Sequence, residues 1–78
     1  MMKVEVRIYE GIKWEDPNPA VARVQYNIKS FSIVNGEAAG VENTDGTCID
    51  ENDEYLVLKL EDGDTATFRN SHCDMFRA

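Results

Sequence analysis

The side chains best suited to chemistry in this 78-residue sequence are two cysteines and one histidine, Cys48, Cys73 and His72. With Asp74 they supply thiolate, imidazole and carboxylate donors that zinc accepts, and a cysteine with a histidine base is a common thiol nucleophile. The spacing favours neither function, because structural zinc sites usually take closely spaced pairs of cysteines. Adjacent residues on a strand, such as His72 and Cys73, also point to opposite faces. We therefore predict a non-enzymatic protein with no catalytic residues, no metal site and no cofactor.

Carboxylates dominate the sequence between residues 42 and 64. Nine acidic residues there accompany a single cation, Lys59, which leaves −8, while the whole chain carries −7. Such a local field attracts basic proteins or cations and repels nucleic acid and anionic membranes. We predict that the nine side chains form a partner-binding surface: Glu42, Asp45, Asp50, Glu51, Asp53, Glu54, Glu61, Asp62 and Asp64.

Oxygen donors in residues 42–54 also suggest a divalent-cation site as an alternative. With Gly46 at the glycine position of a calcium-binding loop, Asn43 and Asp45 fall at two ligand positions. The first and last positions are then Val41 and Asn52, which lack the carboxylates that the loop requires there. The standard calcium motif therefore fails, and a solvated loop that carries charge for solubility is the simpler interpretation of this segment.

Length and composition favour one small globular domain, residues 1–78. A hydrophobic content of 42% is that of a folded protein, but so short a chain buries only about 60–65% of its unfolded surface. No apolar run approaches the roughly 20 residues of a membrane span, and the start of the chain lacks an apolar signal core. We predict a cytoplasmic protein with reduced thiols, and a bridge between Cys48 and Cys73 is the alternative.

Direct nucleic-acid binding is disfavoured by charge. The tyrosines Tyr9, Tyr26 and Tyr55 resemble stacking platforms, but the chain has only eight Lys and Arg residues, spread thinly along it. Phosphates require several cations on one surface. The sequence therefore predicts neither nucleic acid nor a membrane as a partner, and it leaves monomer and homodimer open.

Period-two alternation predicts most of the elements that would position these residues. Residues 3–10 alternate without a fault and predict a half-buried strand. Residues 11–19 contain Gly11 and two prolines and predict a loop, with Ile12 or Trp14 folded back as a lid over the core. A helix beginning at Asn18 and Pro19 is an alternative.

The next strand must bend. Apolar residues share one parity up to Ile28 and the other parity from Phe31, so we predict a bulge near Lys29 and Ser30. Asn35 and Gly36 then predict a two-residue hairpin turn, which would place Ile33 opposite Ala38 and Phe31 opposite Gly40.

The last hairpin allows its register to be predicted. A three-residue loop over residues 61–63, with Gly63 left-handed, pairs Leu58 with Ala66 and Leu56 with Phe68. This register gathers the apolar residues on one face. The other face is predicted to be exposed to solvent, and it comprises Tyr55, Val57, Lys59, Thr65, Thr67 and Arg69.

These elements predict an all-β fold. After Arg69 a weak capping pattern indicates one helical turn or a short closing strand that buries Met75 or Phe76. Five or six short strands with a bend suit a bent antiparallel sheet or a small SH3-like barrel.

On this scaffold the sequence favours a protein-interaction module. Its acidic loop and hairpin tip would dock onto a basic protein surface, such as one that normally holds nucleic acid, so that the protein acts as an inhibitor or adaptor. Its size and charge would suit a phage or accessory gene product. A small ligand-binding or cation-binding β domain and a self-associating structural domain are the alternatives.

Overall fold

The computed structural model describes residues 2–15, 19–39 and 49–78. These residues form five strands, which are β1 (Met2–Tyr9), β2 (Ala20–Asn35), β3 (Glu54–Leu60), β4 (Thr65–Arg69) and β5 (Cys73–Arg77). A single helical turn, α1 (Gly36–Ala39), follows β2, and a 3-10 turn (Asn70–His72) joins β4 to β5.

All five strands belong to one antiparallel sheet with the order β4-β3-β2-β1-β5. The 16-residue β2 is shared, because its first half pairs with β1 and its second half pairs with β3. The prediction of a small all-β domain built on a bent antiparallel sheet is confirmed.

The bend in β2 lies where the sequence predicts it. The pairing of β2 with β3 shifts register between Ile28 and Ser30, and β1 begins opposite Ile28, at Met2. Beyond the bend, Phe31 pairs with Leu58 and Ile33 pairs with Leu56. Phe31 and Ile33 remain 48% and 54% exposed, because β1 no longer runs beside β2 at this point.

The core lies inside the bent sheet and draws on every strand. Its buried members are Val4, Val6, Ile28, Leu56, Leu58, Ala66, Phe68 and Cys73. The alternation of β1 therefore works as predicted, since Val4 and Val6 are almost completely buried. Met75 of β5 packs against this core, whereas Phe76 is 40% exposed, so the predicted closing strand buries only the first of the two.

The register of the β3–β4 hairpin is confirmed. Leu58 pairs with Ala66 and Leu56 pairs with Phe68, and Gly63 has a φ of +94° at the end of the three-residue loop. The prediction for the opposite face is wrong at two positions, because Tyr55 is completely buried and Thr67 is 2% exposed. Alternation along a strand shows which residues share a face but not whether another segment covers it.

The predicted turn at Asn35 and Gly36 is wrong. β2 runs through Asn35, and its neighbour beyond the bend is β3, with Asn35 opposite Glu54. The Asn35 side chain instead caps α1, since its Oδ1 accepts a hydrogen bond from the Glu37 N–H at 3.0 Å. Asparagine is favoured at both helix caps and turns, so local chemistry alone did not separate them.

One prediction for the first loop fails, and one alternative to it is not adopted by the described residues. Ile12 and Trp14 are 39% and 73% exposed, so neither is buried as a lid over the core. A helix that begins at Asn18 and Pro19 would continue through Ala20, but β2 begins at Ala20. Asn18 itself lies outside the described residues.

Candidate interaction surface

The acidic residues before β3 form a compact loop held by its own side chains. Asp50 Oδ1 accepts a hydrogen bond from the Asn52 N–H at 2.9 Å, and Asp53 Oδ1 accepts one from the Glu54 N–H at 2.9 Å. Asp50, Glu51 and Glu54 are exposed. We call residues 50–54 the acidic loop.

Tyr55 anchors this loop to the sheet. Its buried hydroxyl oxygen accepts a hydrogen bond from the Asp50 N–H at 2.6 Å. A hydrogen bond from Arg69 to the Tyr55 side chain is the largest cause that raises the pKa of Arg69 above its ordinary value. Arg69 Nε also lies 3.1 Å from Asp53 Oδ2. One tyrosine and one arginine therefore fix both ends of the acidic loop.

Asp53 differs from its neighbours because its charge is already matched. All eight Lys and Arg residues lie in the described ranges, and among these residues the ion pairs join Arg69 to Asp53, Lys13 to Asp74 and Arg7 to Glu5. Of the described members of the predicted surface, only Asp53 takes part in one of these pairs. The acidic loop therefore keeps most of its charge available to a partner.

The other described members of the predicted surface lie at the tip of the β3–β4 hairpin. Asp62 and Asp64 are exposed, and Asp62 Oδ1 accepts a hydrogen bond from the Asp64 N–H at 2.9 Å. The backbone N–H of Glu61 donates to the Asn27 carbonyl oxygen at 3.1 Å, which ties the tip to β2. We call residues 61–64 the acidic tip.

The two acidic groups are separated by the length of β3. The acidic loop reaches the start of this strand at Glu54, and the acidic tip follows its end at Leu60. Six steps at roughly 3.3 Å per residue place them about 20 Å apart. Glu42 and Asp45 lie outside the described residues. The described members of the predicted surface therefore form two clusters.

The sequence did not predict that Trp14 lies near the acidic loop, with which it lines one cleft. The loop that carries it is attached to the 3-10 turn, because the Lys13 N–H donates to the Ser71 carbonyl oxygen at 2.7 Å. Lys13 Nζ lies 3.5 Å from Asp74 Oδ1 and 5.3 Å from the centroid of the Trp14 ring. A tryptophan between charged residues in a loop rich in turn formers was the available signal, and it was interpreted as a lid.

The chemistry-bearing residues of the tail lie in different surroundings. Cys73 is buried and has no disulfide partner among the described residues, and burial raises the pKa of its thiol to about 11. His72 Nδ1 lies 2.8 Å from Ser71 Oγ. Among the described residues no group of three or more His, Cys, Asp or Glu side chains could hold a metal ion. Cys48 lies outside the described residues, and so does its predicted alternative bridge to Cys73.

The three tyrosines considered as stacking platforms are occupied within the fold. Tyr55 is buried, and the Tyr26 ring lies 6.0 Å from the Phe68 ring. The Tyr9 hydroxyl donates a hydrogen bond to Asp74 Oδ2 at 2.9 Å. The prediction that Tyr55 is exposed was therefore wrong, and its side chain supports the acidic loop instead.

We expect Tyr55→Phe to lower the free energy of unfolding by about 1–3 kcal/mol, because a buried hydrogen-bond acceptor is lost while its donors remain. Urea denaturation measures this change, and hydrogen exchange should show faster exchange at the Asp50 amide. Tyr26→Phe is the matched control, because it removes the same hydroxyl group at a tyrosine whose pKa is raised by burial and not by a hydrogen bond. Equal effects of the two substitutions would contradict the anchoring role of the Tyr55 hydroxyl.

No family model, curated protein or solved structure matches this chain. In the described part of the chain, no helix has the length and apolar character needed to cross a bilayer. The function of the acidic clusters is therefore inferred from their own geometry and charge.

Proposed function

We propose that this protein is a non-enzymatic interaction module that presents acidic side chains to a basic protein surface. The observation that carries the proposal is the exposure of Asp50, Glu51 and Glu54 in the acidic loop and of Asp62 and Asp64 at the acidic tip. Among the described carboxylates of the two groups, only Asp53 takes part in an ion pair, with Arg69.

Complementary charge suits this task. Carboxylates facing a cationic surface raise the association rate and reject partners of the same sign, even where little apolar area is buried. A basic groove that holds nucleic acid offers such a surface. In the cytoplasm, a protein that occupied the groove would act as an inhibitor or adaptor of its partner.

The separation of the clusters defines the size of that partner surface. Two acidic groups about 20 Å apart match cationic residues spread over a comparable distance, which is the scale of a protein interface of roughly 800 Å² per partner. Rigid attachment of the acidic loop through Tyr55 reduces the conformational entropy lost on binding.

Three double variants, which all have the same net charge, test the proposal. E51Q/E54Q changes the acidic loop, D62N/D64N changes the acidic tip, and E5Q/E10Q is the control on β1 and the residue after it. Each removes two negative charges. Purified core histones, with and without duplex DNA as competitor, serve as the basic probe.

We expect the loop and tip variants each to weaken histone binding by about 3- to 10-fold at low salt, mainly through slower association, and the control to change it by less than about 2-fold. Raising NaCl to physiological strength should weaken binding of the wild type. Salt-independent binding, or equal losses in all three variants, would overturn the proposal.

A further inference from the structure

A small cleft separates the Trp14 loop from the acidic loop. It has a volume of about 190 Å³ and is lined by Trp14, Asp53, Glu54, Asn70 and Ser71. Pockets for cofactors and other small molecules usually measure about 300–1,000 Å³. The cleft is therefore of a size for one amino-acid side chain rather than for a larger ligand.

The charge around the cleft favours a cation. Two carboxylates line it: Asp53, which is paired with Arg69, and Glu54, which has no ion-pair partner among the described residues. Lys13 and Asp74 lie at the base of the Trp14 loop and offset each other, with 3.5 Å between Nζ and Oδ1. A neutral or anionic group would gain nothing from this field.

Trp14 supplies an aromatic wall, which an acidic cluster alone would lack. It is 73% exposed, yet its loop is fixed by hydrogen bonds from the Lys13 N–H to Ser71 at 2.7 Å and from the Glu15 N–H to Ile12 at 3.0 Å. An exposed tryptophan on a fixed backbone is typical of a binding hot spot. The electron-rich faces of an indole also attract cations, and Lys13 Nζ already lies 5.3 Å from the centroid of this ring.

We propose that this cleft binds an arginine side chain of a basic partner protein, an inference that rests on the proposed function and names the group recognised there. A planar guanidinium can stack on the Trp14 ring while its N–H groups donate to the Glu54 carboxylate. A lysine ammonium can satisfy the charge, but it offers neither the planar stack nor the paired hydrogen bonds.

The single tryptophan of the chain provides a direct readout. Hexa-arginine and hexa-lysine peptides carry equal charge and can be titrated against the wild type while Trp14 emission is recorded. We expect hexa-arginine to change the emission saturably and to bind about 5-fold more tightly than hexa-lysine. Equal affinity for the two peptides would overturn the selection of arginine.

Calorimetry with hexa-arginine then tests the residues. We expect Trp14→Ala and Glu54→Gln each to weaken binding by about 5- to 10-fold. Asp64→Asn removes the same charge as Glu54→Gln at the acidic tip, and we expect it to change binding by less than about 2-fold. Urea denaturation of each variant shows that the fold is retained.

Failure of this inference is distinguishable from failure of the proposed function. If Trp14→Ala binds hexa-arginine as the wild type does, or if Glu54→Gln and Asp64→Asn lose equal affinity, the cleft is not the site. Histone binding that still depends on the acidic loop and acidic tip would then leave the interaction role standing. If histone binding did not depend on the acidic loop and acidic tip either, both the arginine site and the proposed interaction role would be overturned.

Discussion

Gly36→Ala should lower the free energy of unfolding by about 3 kcal/mol, at the upper end of the usual cost of adding a methyl group to a packed site. A Cβ at this position would collide with the Asp50 carbonyl oxygen and come within 2.9 Å of Tyr55 Cε2. Backbone cannot rotate away as a side chain can. The Gly36 N–H also donates to the Asp53 carbonyl oxygen at 2.8 Å, so displacement of Gly36 would disturb the acidic loop. Urea denaturation measures the loss.

Gly63→Ala is the matched control, because it adds the same methyl group but destabilises the protein through backbone conformation and not through a steric clash. Nothing lies within 4 Å of a Cβ at Gly63, but its φ of +94° is one that alanine rarely adopts. We expect a cost of about 1 kcal/mol, much of it recovered in Gly63→Asn, since asparagine tolerates left-handed backbone. If Gly36→Ala were no more costly than Gly63→Ala, the close approach of the acidic loop to Gly36 would not be what requires glycine there.

The Cys73 thiol should react at least about 100-fold more slowly with iodoacetamide in the folded protein than in urea at pH 8. Burial raises the pKa of Cys73 from 9.0 to about 11, and only the thiolate reacts. A Cys48→Ser variant makes Cys73 the sole reporter, and mass spectrometry gives the rate. Equal rates in the folded and unfolded protein would show that Cys73 is not buried.

The same shift gives stability a pH dependence of known sign. Above pH 9.0 the unfolded chain releases the Cys73 proton, while the folded protein holds it until about pH 11. The unfolded state therefore binds fewer protons in this window, and the free energy of unfolding falls as pH rises through it. In Cys73→Ala the fall over this window should be smaller.

For the proposed function, the contribution of β3 is positional. Its seven residues set the distance between the acidic loop and the acidic tip, and Tyr55 at its start fixes the loop. A substitution that unfolds this strand would remove both clusters together, whereas Glu54→Gln and Asp64→Asn remove charge from one cluster at a time. Comparison of these single variants therefore separates binding from folding.

The sequence by itself determined the features that depend on neighbouring residues. Period-two alternation placed Val4 and Val6 in the core, the change of parity placed the bend after Ile28, and Gly63 set the register of the β3–β4 hairpin. Each depends on side-chain direction or on φ, which a few residues fix locally.

The tertiary structure alone decided which distant segments meet. Asn35 lies opposite Glu54 because β3 runs beside β2 beyond the bend, and Gly36 approaches Asp50 and Tyr55 closely. It is likewise the hydrogen bond from Lys13 to Ser71 that brings Trp14 to the cleft beside Glu54. These contacts join residues far apart in the chain, and packing selects them from alternatives that local propensity leaves equal in energy.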